Sequence, residues 1–199
     1  MGEAVQVTAL ALSRPVDQVL IDDVSVHFAE AEKVLCVRRE GELVGYMLLT
    51  FPVPELVYIA GTMVIPMLQG TGIKAQATRV VMDTHPQIRF WAGRTQSSIV
   101  WASVTRAASH VLPYLPGLIP SQPWPDSSWP GLSGIYSEMG QIRDTLAEVL
   151  GMSAWLEPGF YGGPLYGEKP QHNNERIQLW WDTFIDFKRG DAVLYIAKL

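Results

Sequence analysis

The sequence predicts an α/β (α+β) protein built on a mixed, mostly antiparallel, twisted sheet with helices on its faces. Apolar segments that alternate like strands are interleaved with segments of helical spacing. A glycine-containing loop also joins one predicted strand directly to a predicted helix. With 199 residues, 48% of them hydrophobic, the chain can bury one sizeable core but is short for two, so we expect a single domain over residues 1–199.

The first half of the chain predicts the order strand, helix, three strands, helix. AVQVTALAL, at residues 4–12, alternates as a strand does, and Ser13 followed by Arg14-Pro15 is typical of a helix start. The next expected elements are an amphipathic helix to about Phe28, hairpin strands at 33–39 and 43–51, a strand at 56–65, and a helix from the glycine loop to Met82. Gly61 lies inside the third of these strands, where a glycine often marks a bulge.

The second half continues with a strand at 88–93 and a helix that Ser97 or Ser98 caps and Pro113 ends. Residues 113–136 then form a proline-rich segment that carries Trp124 and Trp129. A loop of this length is more often a lid or binding segment than a connector. The last expected elements are helices at 137–150 and 174–187, an aromatic and glycine-rich segment at 155–170 between them, and a strand at 192–199.

Composition and charge exclude several classes of protein. The net charge is −5 and the 15 basic residues are scattered, which argues against a nucleic-acid surface. Cys36 is the single cysteine, so we expect no internal disulfide, and no Cys/His spacing indicates a metal site. The apolar runs are far shorter than the roughly 20 residues that a membrane helix needs, and the start lacks the features of a signal peptide. We therefore expect a cytoplasmic protein with no membrane partner.

The loop Gln69-Gly70-Thr71-Gly72-Ile73-Lys74 is the strongest functional signal in the sequence. The first N–H groups of a helix have no partner inside the helix, and the helix dipole adds partial positive charge there, so such a loop can hold an anion. Neither the GxxxxGK[ST] nor the GxGxxG nucleotide pattern is present. The alternative is a glycine turn before an ordinary helix.

This loop resembles the Q/R-x-x-G-x-G/A signature of the GCN5-related N-acetyltransferases, the GNAT superfamily. Gln69 and Gly72 match the signature, and Lys74 departs from it at the last small position. The order of elements over about 4–112, closed by the strand at 192–199, is similar to that family's fold and leaves 113–190 as an insertion with additional helices. In the family these amides wrap the diphosphate of acetyl-CoA, and the preceding strand is bulged. The residues that the resemblance implies for binding acetyl-CoA or another acyl-CoA are Met63, Val64, Ile65, Gln69, Gly70, Thr71, Gly72, Ile73 and Lys74.

Acyl transfer to an amine needs a proton acceptor for the amine and a proton donor for the departing thiolate. The family often takes its base from the bulged strand, where Glu55 lies at the start and Tyr58 nearer the usual position. The family's usual tyrosine acid is replaced here by Ser103 or Val104. Tyr114 is therefore the candidate proton donor, with the later tyrosines Tyr161 and Tyr166 as alternatives.

Candidate acceptor-binding residues follow the strand at 88–93. Arg94 and Gln96 lie where open α/β sheets bind ligands, although a capping role for the next helix is an alternative. Trp124 and Trp129 are expected to cover either an apolar acceptor or a second copy of the chain in a homodimer. The sequence thus predicts an acyl-CoA-dependent N-acyltransferase for a small-molecule amine. The alternatives are a catalytically inactive binding or assembly protein of the same fold, and an enzyme of that fold with altered acyl chemistry.

Overall fold

The computed structural model describes residues 1–112, 132–152 and 155–198. The chain separates into two compact units. The first unit consists of Met1–Arg89 with Leu165–Glu168, and the second of Phe90–Pro164 with Lys169–Leu199. The expectation of a single domain stays a prediction.

The first unit is an antiparallel three-stranded sheet with three helices. Its elements are α1 (Gly2–Leu12), α2 (Gln18–Glu30), β1 (Lys33–Arg39), β2 (Glu42–Val53), β3 (Leu56–Val64) and α3 (Ile73–Thr84). The strands pair in the order β1-β2-β3. Glu40 and Gly41, with φ of 54° and 88°, make the tight turn between β1 and β2, as a two-residue hairpin requires. The predicted hairpin is therefore confirmed.

The prediction of a strand at residues 4–12 is wrong, because this segment is the helix α1. Its buried residues are Ala4, Val5, Val7, Thr8, Ala9 and Leu12. Within this set, 4, 8 and 12 as well as 5 and 9 recur at a spacing of four, which places them on one helical face. Over a short apolar run, strand alternation and helical spacing overlap, and packing of this face against the core decides the outcome.

The predicted start of the second helix at Ser13 is also wrong. Ser13 ends α1 in the left-handed conformation, with φ of 54°, and the Arg14 amide donates to the Ala9 carbonyl at 2.9 Å. This is the geometry of a helix C-terminus. α2 begins at Gln18, and its cap is Asp17, whose Oδ1 accepts from the Leu20 amide at 2.8 Å.

The predicted irregularity at Gly61 is confirmed. Leu48 of β2 pairs with Gly61, whereas the next residue, Leu49, pairs with Ile59. Ala60 is thus an extra residue on β3, and a bulge of this kind bends the strand and increases its twist.

The described residues of the second unit form seven elements. They are β4 (Phe90–Thr95), α4 (Ser98–Ala107), β5 (His110–Leu112), α5 (Leu132–Leu150), β6 (Leu156–Glu157), α6 (Glu175–Phe184) and β7 (Ala192–Lys198). β7 lies between β4 and β5, and β6 pairs with the start of β7. Every strand pairing within either unit is antiparallel. The predicted fold class, mixed α/β with a mostly antiparallel sheet, is confirmed.

The helix predicted to reach Pro113 ends earlier than expected. α4 stops at Ala107, and the next residues form β5, in which Val111 pairs with Ala197 of β7. The Ser109 amide donates to the Lys198 carbonyl at 2.9 Å. Strand pairing with β7 therefore overrides the helical spacing that Val111 shares with α4. The predicted cap at Ser97 is confirmed, since its side chain accepts from the Val100 amide.

A buried carboxylate holds the segment before β7 in place. Asp191 is fully buried and accepts from the Gly159 amide at 2.9 Å, the Asp186 amide at 3.0 Å and the Arg189 guanidinium at 2.6 Å. The Arg189 hydrogen bonds, aided by the two amides and opposed by burial, lower the pKa of Asp191 to about 2. A buried charge of this kind is stable only because several donors surround it.

The two capping assignments can be tested together. We expect Asp17→Ala to lower the free energy of unfolding by about 1 kcal/mol, because the Leu20 amide loses its acceptor. Ser13→Gly should raise it by roughly 0.5 kcal/mol, because glycine tolerates the left-handed conformation. Urea unfolding followed by circular dichroism measures both. If Ser13→Gly lowers the free energy of unfolding and Asp17→Ala does not, Ser13 is the N-cap of α2, as expected from the sequence.

Candidate functional site

The candidate site lies where β3 runs through a glycine loop into α3. After Val64, residues Pro66–Leu68 form a single 3₁₀ turn. The Gln69 side-chain amide donates to the Val64 carbonyl at 3.0 Å and ties the loop to the end of the strand. Gly70 and Gly72 have φ of 77° and 87°, values that explain why glycine occupies both positions. A Cβ built on either glycine meets no atom within 4 Å, so open space adjoins the loop.

The first turn of α3 has unused hydrogen-bond donors. Gly72 is the N-cap residue and supplies no side-chain cap. The first intrahelical bond runs from the Gln76 amide to the Gly72 carbonyl at 3.0 Å, and within the described chain the amides of Ile73, Lys74 and Ala75 form no hydrogen bond. The first turn carries no acidic residue. Three free amides at the positive end of a helix dipole suit an anionic group such as a phosphate.

Lys74, the second residue of α3, is partly buried. Its side chain helps to line a small cavity together with residues of β1, β2 and β3. Burial lowers the pKa of the Lys74 ammonium to about 8, and no charged neighbour offsets the shift. Among the described residues Lys74 forms no ion pair and its ammonium forms no hydrogen bond.

A small cavity lies beneath Lys74, with room for about one water molecule. It is lined by Leu35, Val37, Tyr46, Met47, Thr62, Val64, Ile73, Lys74 and Ala77. The Thr62 hydroxyl oxygen is buried and has no hydrogen-bond partner in the described structure. The Tyr46 hydroxyl is used elsewhere, because it lies 2.5 Å from the Thr8 hydroxyl. The surface that lines the cavity is apolar.

The other residues predicted to lie on or near β3 occupy different environments. Val64 lines the cavity, whereas Met63 and Ile65 pack against the core formed with α1 and α2. Glu55 lies in the turn before β3, partly exposed, and its carbonyl accepts from the Arg89 amide at 2.8 Å. Tyr58 is buried and only 8% exposed. A catalytic role for Glu55 or Tyr58 stays a prediction.

Arg94 and Gln96, predicted to contact the acceptor, take part in internal contacts of the second unit. The guanidinium of Arg94 forms a two-point ion pair with Glu157 and lies over the Phe160 ring, 4.0 Å from its centre. Gln96 is 1% exposed, and its side chain donates to the Phe187 carbonyl at 3.0 Å. These contacts account for both residues structurally, and their role in acceptor binding stays a prediction.

Three predicted site residues, Tyr114, Trp124 and Trp129, lie outside the described residues. Of the residues predicted for cofactor binding, the structure brings together Val64, Ile73 and Lys74 around the cavity, next to the loop of Gln69–Gly72. Sequence reasoning missed Thr62 and the partial burial of Lys74. The available signal was the lysine itself, which stands where the resembling signature has a small residue.

A scan against protein-family models gives no match, and neither does a search of curated proteins. Solved structures do match. An IAA acetyltransferase from Bacillus cereus has a TM-score of 0.51 and 12% identity, over 96% of this chain and 91% of that one. A GNAT family acetyltransferase from Elizabethkingia anophelis with acetyl-CoA bound has a TM-score of 0.48 and 13% identity, over 96% and 88%. The ribosomal-protein-S18-alanine N-acetyltransferase from Escherichia coli has a TM-score of 0.45 and 10% identity, over 99% and 86%.

This chain shares the fold of the Bacillus cereus acetyltransferase, which agrees with the GNAT-type fold that the sequence predicts. At this level of identity the similarity concerns the fold alone, so the activity has to be argued from the site. Within the residues that the structure describes, no group of histidine, cysteine and acidic side chains is arranged to hold a metal ion. In the same residues, no helix has both the length and the hydrophobicity that a membrane span needs.

The burial of Lys74 predicts a pH-dependent stability. At pH 7 the folded state holds a partly desolvated ammonium that has no ion-pair partner in the described structure, so Lys74→Met should raise the free energy of unfolding by roughly 1–3 kcal/mol. As the pH rises from about 8 towards 10.5, the folded wild type releases this proton before the unfolded chain does. The wild type therefore gains stability relative to the variant, and the difference disappears above that window.

Urea unfolding of both proteins at pH 7, 9 and 10.5 measures this change. Arg79→Met removes an exposed positive charge from the same helix and serves as the control, for which the difference from wild type should stay constant over this range. A constant difference for Lys74→Met as well would show that its amine is solvated.

The Arg94–Glu157 pair gives a second stability prediction. Their side chains are 12% and 13% exposed, so Glu157→Gln leaves a nearly buried guanidinium without its counter-charge. We expect a loss of about 2–4 kcal/mol in the free energy of unfolding. Glu168→Gln, at an exposed position, is the control. A loss below about 0.5 kcal/mol would mean that water replaces the carboxylate.

Proposed function

We propose that this protein is an acyl-CoA-dependent N-acyltransferase that acts on a small-molecule amine. The observation that carries the proposal is the first turn of α3, where three free amides and two open glycines follow a bulged strand in a GNAT fold. A diphosphate group matches this arrangement in charge and in its number of acceptor oxygens.

The chain's own residues divide the work as follows. The free amides of Ile73, Lys74 and Ala75 would hold the diphosphate, and Gly70 and Gly72 keep side chains out of that space. The bulge at Ala60–Gly61 interrupts regular pairing just before Met63 and Val64, whose backbone would bind the thioester carbonyl, whereas the Ile65 amide already donates to the Val44 carbonyl. Acyl-CoA, when bound, supplies an activated acyl group, whose carbon bonds to the amine nitrogen as its bond to sulfur breaks.

Two proton transfers need side chains: one removes the proton from the amine, and the other protonates the departing thiolate. Glu55 is the candidate that accepts the amine proton, because it is the carboxylate next to β3 and is partly exposed. Tyr58 is the second candidate for this role. Tyr114 is proposed as the proton donor to the thiolate. A cytoplasmic location and an acceptor pocket formed with Trp124 and Trp129 belong to the same proposal.

One observation favours a second candidate, a protein that binds CoA without turnover. On α4, Val104 is buried and the Ser103 hydroxyl donates to the Val100 carbonyl at 2.7 Å. Neither residue can serve as the acid that GNAT enzymes usually take from this helix. If no tyrosine elsewhere replaces it, binding would persist without acyl transfer.

Ligand binding separates these candidates. Acetyl-CoA at ~100 times its dissociation constant should add about 2.7 kcal/mol to the free energy of unfolding. Release of free CoA thiol in the presence of an amine library then measures turnover. Binding with turnover supports the enzyme, and binding without turnover supports the second candidate. A free energy of unfolding that does not change when acetyl-CoA is added contradicts both.

Two glycines with the same backbone conformation test the location of the site. Gly72 and Gly41 have φ of 87° and 88°, and a Cβ on either meets no atom within 4 Å. Gly72→Ala and Gly41→Ala should therefore lose similar stability, about 1 kcal/mol. Only Gly72→Ala should weaken CoA binding, by about tenfold or more, because its Cβ enters the space next to the free amides. If calorimetry gives the two variants equal affinities for CoA, the binding site does not lie at the start of α3.

A further inference from the structure

Lys33 and His85 meet at the opposite end of α3 from the glycine loop. Lys33 is the first residue of β1, and His85 directly follows the last residue of α3. The Lys33 Nζ atom lies 2.6 Å from His85 Nε2. Lys33 is exposed and His85 is partly buried, so the amine is open to a reagent from solvent. An amine in hydrogen-bond contact with an imidazole is a nucleophile with a base beside it.

The hydrogen bonds of the His85 ring determine which of its nitrogens accepts. Nδ1 lies 3.2 Å from the Val81 carbonyl and 2.9 Å from the Thr84 hydroxyl. The carbonyl can only accept, and the hydroxyl already donates to the Val80 carbonyl at 2.8 Å. Nδ1 therefore carries the ring proton, and the lone pair of Nε2 faces the Lys33 amine. A nucleophile, a base and a group that orients the base are thus present together, as in activated nucleophiles generally.

Phe51 of β2 holds the imidazole in this position. Its ring stacks on the His85 ring, with 5.0 Å between the ring centres and 20° between the planes. The Lys33 Nζ atom lies 5.5 Å from the centre of the Phe51 ring. Phe51 is itself fixed by its backbone amide, which donates to the Glu32 carboxylate at 2.9 Å. One face of the imidazole is therefore covered by an apolar group, while Nε2 at its edge stays directed at the amine.

The chain has four other lysines, and none of them has a comparable partner in the described structure. Two are ion-paired with carboxylates, which are much weaker bases than imidazole, namely Lys169 with Asp182 and Lys198 with Glu138. Lys74 is partly buried. Lys188 is exposed, and its ammonium forms no hydrogen bond or ion pair within the described residues. Lys33 is therefore the lysine that combines exposure with an adjacent base.

We propose that Lys33 is an acylation site, at which its amine attacks the carbonyl of a thioester while His85 accepts the proton. The Lys33 ammonium first loses one proton through His85 Nε2 to solvent. The neutral nitrogen then bonds to the acyl carbon as the carbon–sulfur bond breaks, and a second proton passes from the nitrogen through His85 to the departing thiolate. The products are an amide on Lys33, a free thiol and one released proton.

The acylation site goes beyond the proposed function, because it needs only a thioester in solution and no ligand bound at the start of α3. Incubation with S-acetyl-N-acetylcysteamine at pH 8, followed by mass spectrometry, measures the rate of acetylation at each lysine. This thioester lacks the diphosphate of CoA, so its reaction is independent of the proposed CoA site. We expect Lys33 to react at least about tenfold faster than Lys188, the exposed lysine without a base beside it.

A variant of His85 tests its role as the base. The side-chain carbonyl of glutamine can accept a hydrogen bond from Lys33 but is too weak a base to take its proton, so His85→Gln should lower the rate at Lys33 to that at Lys188. His27→Gln, which removes a histidine of α2 in the same unit, should leave both rates unchanged. Circular dichroism on each variant confirms that it is folded.

Two outcomes would overturn the acylation site. One is equal rates at Lys33 and Lys188 in the wild type, a comparison that needs no variant and so holds even if His85→Gln does not fold. The other is a faster rate at Lys33 that His85→Gln leaves unchanged. Neither outcome concerns CoA binding, so the proposed function would stand in both cases.

Discussion

The free amides at the start of α3 are the constraint around which the site is organised. A helix N-terminus needs an acceptor from a side chain, from solvent or from a ligand. Here the cap is a glycine, the first turn has no acid, and open space adjoins the loop. The hydrogen bond from the Gln69 side chain to the Val64 carbonyl holds the loop at the end of β3, directly before this helix.

In the second unit, two buried charged groups have partners within the chain. Arg94 pairs with Glu157 and lies over the Phe160 ring, and Asp191 accepts hydrogen bonds from Arg189 and two backbone amides. Both groups are satisfied within the chain, which is how folded proteins keep buried charge. Lys74 differs from both, because burial lowers its pKa to about 8 and its ammonium has no ion-pair partner in the described structure.

Much of the fold follows from the sequence, because turn chemistry is local. Glu40-Gly41 fixes the hairpin, and Gly61 marks the bulge. The errors at residues 4–12 and at Val111 have one physical cause. A short apolar segment fits both the helical and the strand period, so the element packed against it determines which structure forms. At the site, the glycines predict the loop, but the partial burial of Lys74 depends on three strands meeting beneath α3. No local pattern contains that information.

The position of β7 has a consequence for synthesis of the chain. This strand, at Ala192–Lys198, is the middle member of the set β4-β7-β5 and also pairs with β6. On the ribosome, β4 and β5 emerge about 80 to 100 residues before β7, and these two strands do not pair with each other. The three-stranded meander at the front of the chain needs only neighbouring strands. Nascent protein should therefore pass through a stage with one ordered half and one half that still exposes its strand edges to chaperones.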